Sequence, residues 1–215
     1  MHKNTFSTTL YRQNLHETIL KTATSEFMRK GIKAVKMDDI ATMLSISKRT
    51  LYEIFSNKEE LLLESVKLCE KEFSDHMAEF EKNPDNNVID IVIEFYITQI
   101  QWLSNINFLY FSDIRKYKKM REYLDTREEE RKKSKLWFFH RGVKEGLFRS
   151  DIDYDILSRI GNAAMEHIMR SQMYEEYDMK LIFNNIIFLF VRGICTERGI
   201  SQFDYKIRDK FGGIH

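Results

Sequence analysis

An all-α fold follows from three features of this 215-residue sequence. Apolar residues recur at helical spacing along most of its length, and no convincing strand pattern interrupts them. It contains one Pro and eight Gly, and a turn-dense β fold draws more heavily on both. Its hydrophobic content is 43%, with 13% aromatic residues, enough to bury a real core rather than remain a disordered tail.

The elements read in order as follows. Leu15, Ile19, Ala23 and Phe27 recur every fourth residue with Leu20 beside them, giving a first helix one apolar face. Lys30-Gly31 ends it, a basic last turn followed by a residue able to turn left-handed. A short second helix sets Ile40, Ala41 and Leu44 inward, and Ser45-Ile46-Ser47 forms a turn. Ser47 suits the N-cap of a third helix, roughly Lys48 to Phe55, with Leu51 and Phe55 inward. Ser56…Glu59 and Asn57…Glu60 both fit the capping spacing that opens a long fourth helix towards Lys82. Asn83-Pro84-Asp85-Asn86-Asn87 is the clearest break. Beyond it come helices over Val88–Leu103, Phe108–Lys116, Lys118–Lys144, Tyr154–Tyr174 and Met179–Glu197. Arg127 to Lys135 reads as a solvated charged stretch, and Gly146 to Asp151 as a connection. Residues 200–215, with Phe203, Tyr205 and Phe211, fit either an extra short helix or a loose tail. The expected domains are residues 1–57 and 58–215, with the helix at about 58–82 as connector.

Charge is unevenly spread. Residues 1–58 hold ten Lys/Arg against five Asp/Glu, whereas residues 59–215 hold 24 against 28. A basic first quarter on a mildly acidic remainder suggests an anion-binding module on a neutral body. Two short helices joined by a tight turn and braced by a third form a helix-turn-helix, whose second helix fits the major groove of DNA. With Leu51 and Phe55 inward, Lys48, Arg49, Thr50, Tyr52 and Glu53 are left outward. Lys and Arg neutralise phosphate or donate to guanine, and hydroxyl groups bond phosphate oxygens or base edges. The competing reading of Lys48 and Arg49 is an ordinary solvated face. Ser47 caps its helix on either reading, and Tyr52 is open between packing and DNA.

The stretch Gly31-Ile-Lys-Ala-Val-Lys-Met-Asp-Asp-Ile-Ala41, then Ile46-Ser-Lys-Arg-Thr-Leu-Tyr-Glu-Ile-Phe55, then Lys58-Glu-Glu-Leu61 resembles the TetR (tetracycline-repressor-like) family of transcriptional regulators. The close resemblance covers about residues 12 to 66. It implies an all-α homodimer with a three-helix N-terminal DNA-binding domain. A larger C-terminal domain would bind a small molecule and dimerise through its last two long helices, ligand binding releasing the operator. Carried over by position, Ser47, Lys48, Arg49, Thr50 and Tyr52 face double-stranded DNA, and Lys58 holds a phosphate with the fourth helix's first amides. Three departures stand out. Ser45 occupies a turn position usually held by Gly, so a left-handed serine is expected there. Arg49 stands where Gly or Ala is common, which adds a guanine contact. Val35-Lys36 replaces a hydroxyl cap, leaving Lys36 as a phosphate contact.

The C-terminal region is rich in aromatics and Met, which suit an apolar or aromatic ligand, although most such residues are core. The candidate ligand group is Trp102, Tyr110, Phe111, Trp137, His140, Met165 and Met169, with His140 as a polar anchor. The helix after Met179 is apolar nearly all round and is expected to be buried both in its own domain and against a partner subunit. Gly161, Ala164, Ile168, Phe183, Ile187, Phe190 and Ile194 are the expected dimer contacts.

No Gly-rich phosphate loop, GxSxG or HExxH occurs, so the sequence does not read as an enzyme. The six His are scattered, Glu166-His167 has no second His at ligand spacing, and Glu128-Glu129-Glu130 sits among basic neighbours. No metal or cofactor is expected. The longest apolar run, Ile186–Val191, is far short of the roughly 20 residues a membrane span needs. With two Cys and no apolar leader, the expectation is a soluble cytoplasmic protein. The leading reading is a repressor released from a palindromic operator by a small apolar or aromatic ligand. The alternative is a helical small-molecule-binding protein or enzyme with a vestigial DNA-binding domain.

Overall fold

The computed structural model describes the backbone of residues 3–211 and the side chains of residues 10–127 and 136–210. The carboxylates Glu128-Glu129-Glu130, the rest of the charged stretch to Lys135, and the side chains of His2, Phe211 and His215 lie outside the described residues. Ten α-helices are described: α1 Lys3–Lys30, α2 Met37–Met43, α3 Lys48–Ile54, α4 Lys58–Glu81, α5 Val88–Leu103, α6 Phe108–Ile114, α7 Lys118–Lys144, α8 Tyr154–Arg170, α9 Met179–Ile194 and α10 Glu197–Phe211. A single 3-10 turn, Met173–Glu175, lies between α8 and α9. The fold is all-α, with a helix-turn-helix at its N-terminal end.

The chain divides into two compact units. The first takes residues up to Phe73 together with Ile106–Tyr123, and the second takes Ser74–Asn105 and everything from Leu124 onward. Helices α4 and α7 therefore contribute to both.

In the first unit the four-residue spacing of α1 becomes a buried stripe: Ile19, Ala23 and Phe27 are sealed from solvent with Leu20. Ile32, Val35, Ile40, Ala41, Leu51, Phe55, Leu61 and Leu62 complete that core. Gly31 ends α1 with φ +82°, its N–H donating back to the Phe27 carbonyl at 3.0 Å. The left-handed turn is accessible because Gly has no Cβ. Space demands the same residue: a methyl group here would stand 2.7 Å from the Leu109 Cβ of α6. Asn107 also donates its N–H to the Met28 carbonyl at 2.8 Å. Asp113, buried on α6, accepts the Lys33 N–H at 2.7 Å and the Lys116 ammonium at 3.0 Å. A buried carboxylate survives only with such partners. Thus α6, distant in sequence, clasps the turn that delivers α2.

In the second unit α5 is the buried centre, with Val88, Ile89, Ile93 and Tyr96 inside. It packs on α9 and α10. The Tyr96 ring stacks on Phe183, and its hydroxyl donates to Asn184 Oδ1 at 3.0 Å. Residues 197–211 resolve into α10, an amphipathic helix with Phe203 and Ile207 buried and Tyr205 outward. Asn87 bonds Gln202 at 3.2 Å, and Lys206 pairs with Asp90, so α10 is pinned to the start of α5. At the Pro84 break, Arg141 bonds the Asn86 carbonyl at 2.6 Å, Glu81 at 3.1 Å and Glu145 at 2.7 Å. The helix expected over Tyr154–Tyr174 instead stops at Arg170. Gln172 turns left-handed, φ +57°, and the chain reverses to bury Tyr174. That burial outweighs the modest cost of a left-handed Gln.

Candidate nucleic-acid interface

The helix-turn-helix is α2, the turn Leu44–Ser47 and α3. Lys36 is the N-cap of α2; its own N–H donates to the Asp39 carboxylate at 3.0 Å, while its side chain makes no cap hydrogen bond to the helix amides. The Lys36 side chain is exposed. At the turn, Ser45 has φ +54°, the left-handed conformation expected where glycine is usual. Ser47 caps α3: its Oγ accepts the Thr50 N–H at 3.0 Å and lies 2.8 Å from the Thr50 hydroxyl.

Leu51 and Phe55 are buried, and Phe55 packs against the His16 ring at 4.7 Å. They fix the rotation of α3. Lys48, Arg49, Tyr52 and Glu53 are consequently exposed, and Thr50 is half-buried. Two of these cations are already paired. Lys48 meets Asp38 of α2 at 2.5 Å, and Arg49, 89% exposed, meets Glu53 at 2.9 Å. The Asp38 hydrogen bond and charge push the Lys48 ammonium above the usual lysine range. The Arg49–Glu53 spacing of four was readable from sequence. Asp38 was not, because it lies ten residues from Lys48 on another helix.

Lys58 opens α4. Its ammonium lies 3.4 Å from the Lys33 carbonyl and 5.9 Å above the Phe27 ring. Burial pushes it below the usual lysine range, opposed by the charges of Asp113 and Asp39. Lys36, Ser47, Lys48, Arg49, Thr50, Tyr52 and Lys58 thus all belong to the first unit, borne by two short helices and the start of a third. Chemically the set offers ammonium and guanidinium donors beside hydroxyls on a rigid frame, which suits phosphates and base edges.

The other expected groups are more dispersed. Tyr110 and Phe111, edge-to-face at 5.9 Å on α6, belong to the first unit, and burial pushes the Tyr110 hydroxyl well above its usual range. Trp102, Trp137, His140, Met165 and Met169 belong to the second. Trp102 and Met169 are half-buried, whereas Trp137, His140 and Met165 are exposed. Of the expected dimer residues, Ile168, Phe183 and Ile194 are buried within the unit. Gly161 lets the Phe190 ring lie close, within 3.6 Å of where a Cβ would stand; Ala164 and Ile187 are half-buried. The large exposed apolar side chains on the same two helices are Ile156, Ile160 and Met165 of α8 and Leu181 and Leu189 of α9. Among the described residues no three His, Cys, Asp or Glu side chains are grouped to hold a metal ion. No described helix is long and apolar enough to cross a membrane.

Comparison with known proteins agrees with this geometry. Residues 19–65 match the family model described as bacterial regulatory proteins, tetR family. The biofilm operon icaADBC HTH-type negative transcriptional regulator IcaR of Staphylococcus aureus is 24% identical over 203 residues, covering 93% of this chain and 89% of that protein. Its counterpart in Staphylococcus epidermidis is 32% identical over 81 residues, which span 38% of this chain and 43% of the relative's length. A crystal structure of a putative transcriptional regulator from Saccharomonospora viridis in complex with choline shares the fold, with a TM-score of 0.67 and 19% identity over 86% of this chain and 100% of that one. The matched segment is the one that folds into this helix-turn-helix, so the N-terminal domain of the chain belongs to the tetR family of bacterial regulatory proteins.

Proposed function

We propose that this protein is a homodimeric, cytoplasmic transcriptional repressor that binds a near-palindromic DNA operator and releases it on taking up a small apolar or aromatic molecule. The observation that carries the DNA-binding part is the setting of α3: Leu51 and Phe55 anchor it in the core, and Lys48 at its start, Arg49 and Tyr52 are left exposed. The negative regulators of the icaADBC operon, similar along most of the chain, support repression over activation. Trp102, Trp137, His140, Met165 and Met169, all in the second unit, are the proposed ligand contacts. The solved relative in complex with choline supports a small-molecule effector.

The experiment is binding of the purified protein to duplex DNA from the region upstream of its own gene, titrated with salt and challenged with unrelated DNA. Binding that resists competitor and weakens steeply with salt is expected, because each neutralised phosphate releases counterions. Equal weak binding to both DNAs would count against a specific regulator acting at that site.

The dimer is proposed to form through the exposed strip on α8 and α9. Ile156 and Ile160 lie one turn apart, as do Leu181 and Asn185, and Leu189 is 73% exposed. Burying such side chains contributes about 1.5–3 kcal/mol each. An Ile160→Glu, Leu189→Glu variant is therefore expected to weaken dimerisation by at least about a hundredfold. Equilibrium sedimentation reads this directly, and a wild-type monomer at micromolar concentration would remove the dimer from the proposal.

The ion pair between Lys48 and Asp38 yields another expectation. An exposed pair contributes little to stability, and Lys48 must leave Asp38 to neutralise a phosphate fully. Asp38→Asn is expected to strengthen binding to unrelated duplex DNA about two- to fivefold, with little change in thermal stability. Fluorescence anisotropy against a labelled random duplex checks it, and unchanged affinity would mean that Lys48 does not bear on phosphate.

A further inference from the structure

Five of the seven residues from Arg115 to Arg121 are Arg or Lys, and none is acidic. This run, Arg115-Lys-Tyr-Lys-Lys-Met-Arg121, lies about 60 residues beyond the helix-turn-helix, and the fold returns it to the same compact unit. Its five basic side chains are exposed, while Met120 between them is buried and holds the segment down.

The run is fastened at the place where the helix-turn-helix meets α4. The Lys119 N–H donates to the Glu59 carboxylate at 2.9 Å, and Glu59 follows Lys58 in sequence. At the other end, Asp113 takes both the Lys116 ammonium and the Lys33 N–H, and Lys33 in turn offers its carbonyl to Lys58. Two hydrogen-bonded routes, one through Glu59 and one through Asp113 and Lys33, therefore tie the basic run to the residues around Lys58. The Ser56 hydroxyl and N–H, with a smaller contribution from the Lys119 charge, hold the Glu60 carboxyl below the usual range.

Within the run the cations are not equally engaged. Lys116 is committed to Asp113, Lys118 stands 3.7 Å from Glu122, and Arg121 donates to the Arg115 carbonyl at 2.7 Å. Among the described residues the side chains of Arg115 and Lys119 make no ion pair with a carboxylate.

We infer that Arg115 and Lys119 form a second DNA-contact site outside the helix-turn-helix, binding backbone phosphates next to the one held by Lys58. Phosphate is the occupant that matches an exposed, mainly cationic run on the unit that carries the helix-turn-helix, and such contacts add affinity without reading sequence. The inference rests on the DNA-binding reading above. It differs from that reading by assigning contacts to a segment that the helix-turn-helix motif does not include.

The test compares wild type with an Arg115→Gln, Lys119→Gln variant on the same upstream duplex across a salt series. Both side chains are exposed, so the thermal melting curve is expected to be unchanged. A dimer of this variant lacks four phosphate-binding cations. The magnitude of its log K against log salt slope should fall by about 3–4, and its affinity at about 0.1 M salt by tenfold or more. A Lys144→Gln, Arg198→Gln variant removes the same charge from exposed positions of the second unit, and is expected to leave the slope within about 1 of wild type. If wild type binds and the Arg115, Lys119 variant keeps its slope, the second site is overturned while the helix-turn-helix reading stands. An affinity loss with an unchanged slope, or an equal slope change in the control, overturns it as well. Failure of wild type to bind any DNA would remove both readings together.

Discussion

Replacing Lys48 and Arg49 together by alanine is expected to abolish specific DNA binding while leaving the protein folded. The two side chains sit at the start of α3, exposed, and their ion pairs reach only Asp38 and Glu53, themselves at the surface. Removing them therefore disturbs no core. The helix start does not depend on them, because Ser47 accepts the Thr50 N–H and Leu51 and Phe55 anchor the opposite side. A well-placed Arg or Lys contact to a base contributes about 1–3 kcal/mol of discrimination, and a phosphate contact adds salt-dependent affinity. In a two-fold dimer four side chains are removed at once. Even at the low end the deficit is about 4 kcal/mol, close to a thousandfold in affinity. Anisotropy on the upstream duplex, with circular dichroism as a check on folding, reads both halves of the expectation. A folded variant that still discriminates that duplex from random DNA would remove Lys48 and Arg49 from the interface. Ser47→Ala should behave differently: loss of the cap costs about 1 kcal/mol of stability whether or not Ser47 touches DNA.

The largest expected loss of stability is at Phe148. Its side chain is essentially fully buried in the second unit, with the rings of Phe138 at 5.6 Å and Phe139 at 6.3 Å around it. Phe139 in turn stacks on Tyr154 at 4.6 Å, and burial pushes the Tyr154 hydroxyl up to about 12. The backbone is held equally firmly. Leu147 and Phe148 both donate to the Gly142 carbonyl at 3.0 Å, and Arg149 donates to the Ile194 carbonyl at 2.8 Å. A collapsing chain therefore cannot easily fill the space the ring would leave. Phe148→Ala is expected to cost about 3–5 kcal/mol, a large part of the roughly 5–15 kcal/mol that keeps a domain folded. In thermal denaturation that is a fall of roughly 10 °C or more. Phe148→Leu should cost far less. The ring lies where a Cβ on Gly142 would be, 1.9 Å from the nearest ring carbon, so Gly142→Ala is also destabilising. Combining Gly142→Ala with Phe148→Leu should recover part of that loss, since the smaller side chain makes room for the methyl group. Strict additivity of the two changes would mean that ring and glycine do not compete for the same space.

Local signals in the sequence were sufficient wherever the controlling interaction spans four residues or fewer. The stop at Lys30-Gly31, the left-handed Ser45, the Ser47 cap and Asn57 Oδ1 accepting the Glu60 N–H at 2.9 Å all appear where the residue types placed them; the expected Ser56…Glu59 pair does not form, Glu60 accepting from Ser56 and Glu59 from the Lys119 N–H instead. The orientation of α3 was legible for the same reason, since a period of 3.6 residues turns Arg49 and Glu53 away from Leu51 and Phe55, while Lys48 is exposed as the first residue of the helix.

What the tertiary structure alone decided depends on partners far apart in the chain. Lys48 finds Asp38 on another helix, and Lys33 finds Asp113 eighty residues later. The break at Gln172 follows from burial of Tyr174, and α10 becomes a helix because Phe203 and Ile207 find a place in the core beside α5. Residues 106–123 look in sequence like part of the C-terminal domain, yet they pack with the helix-turn-helix. No local pattern encodes such a return, because the free energy that fixes it comes from non-local burial and from satisfying one buried carboxylate. The sequence thus determined most of the helices and the residues of α3 left exposed; long-range packing decided the end of α8, the formation of α10 and which helices stand together.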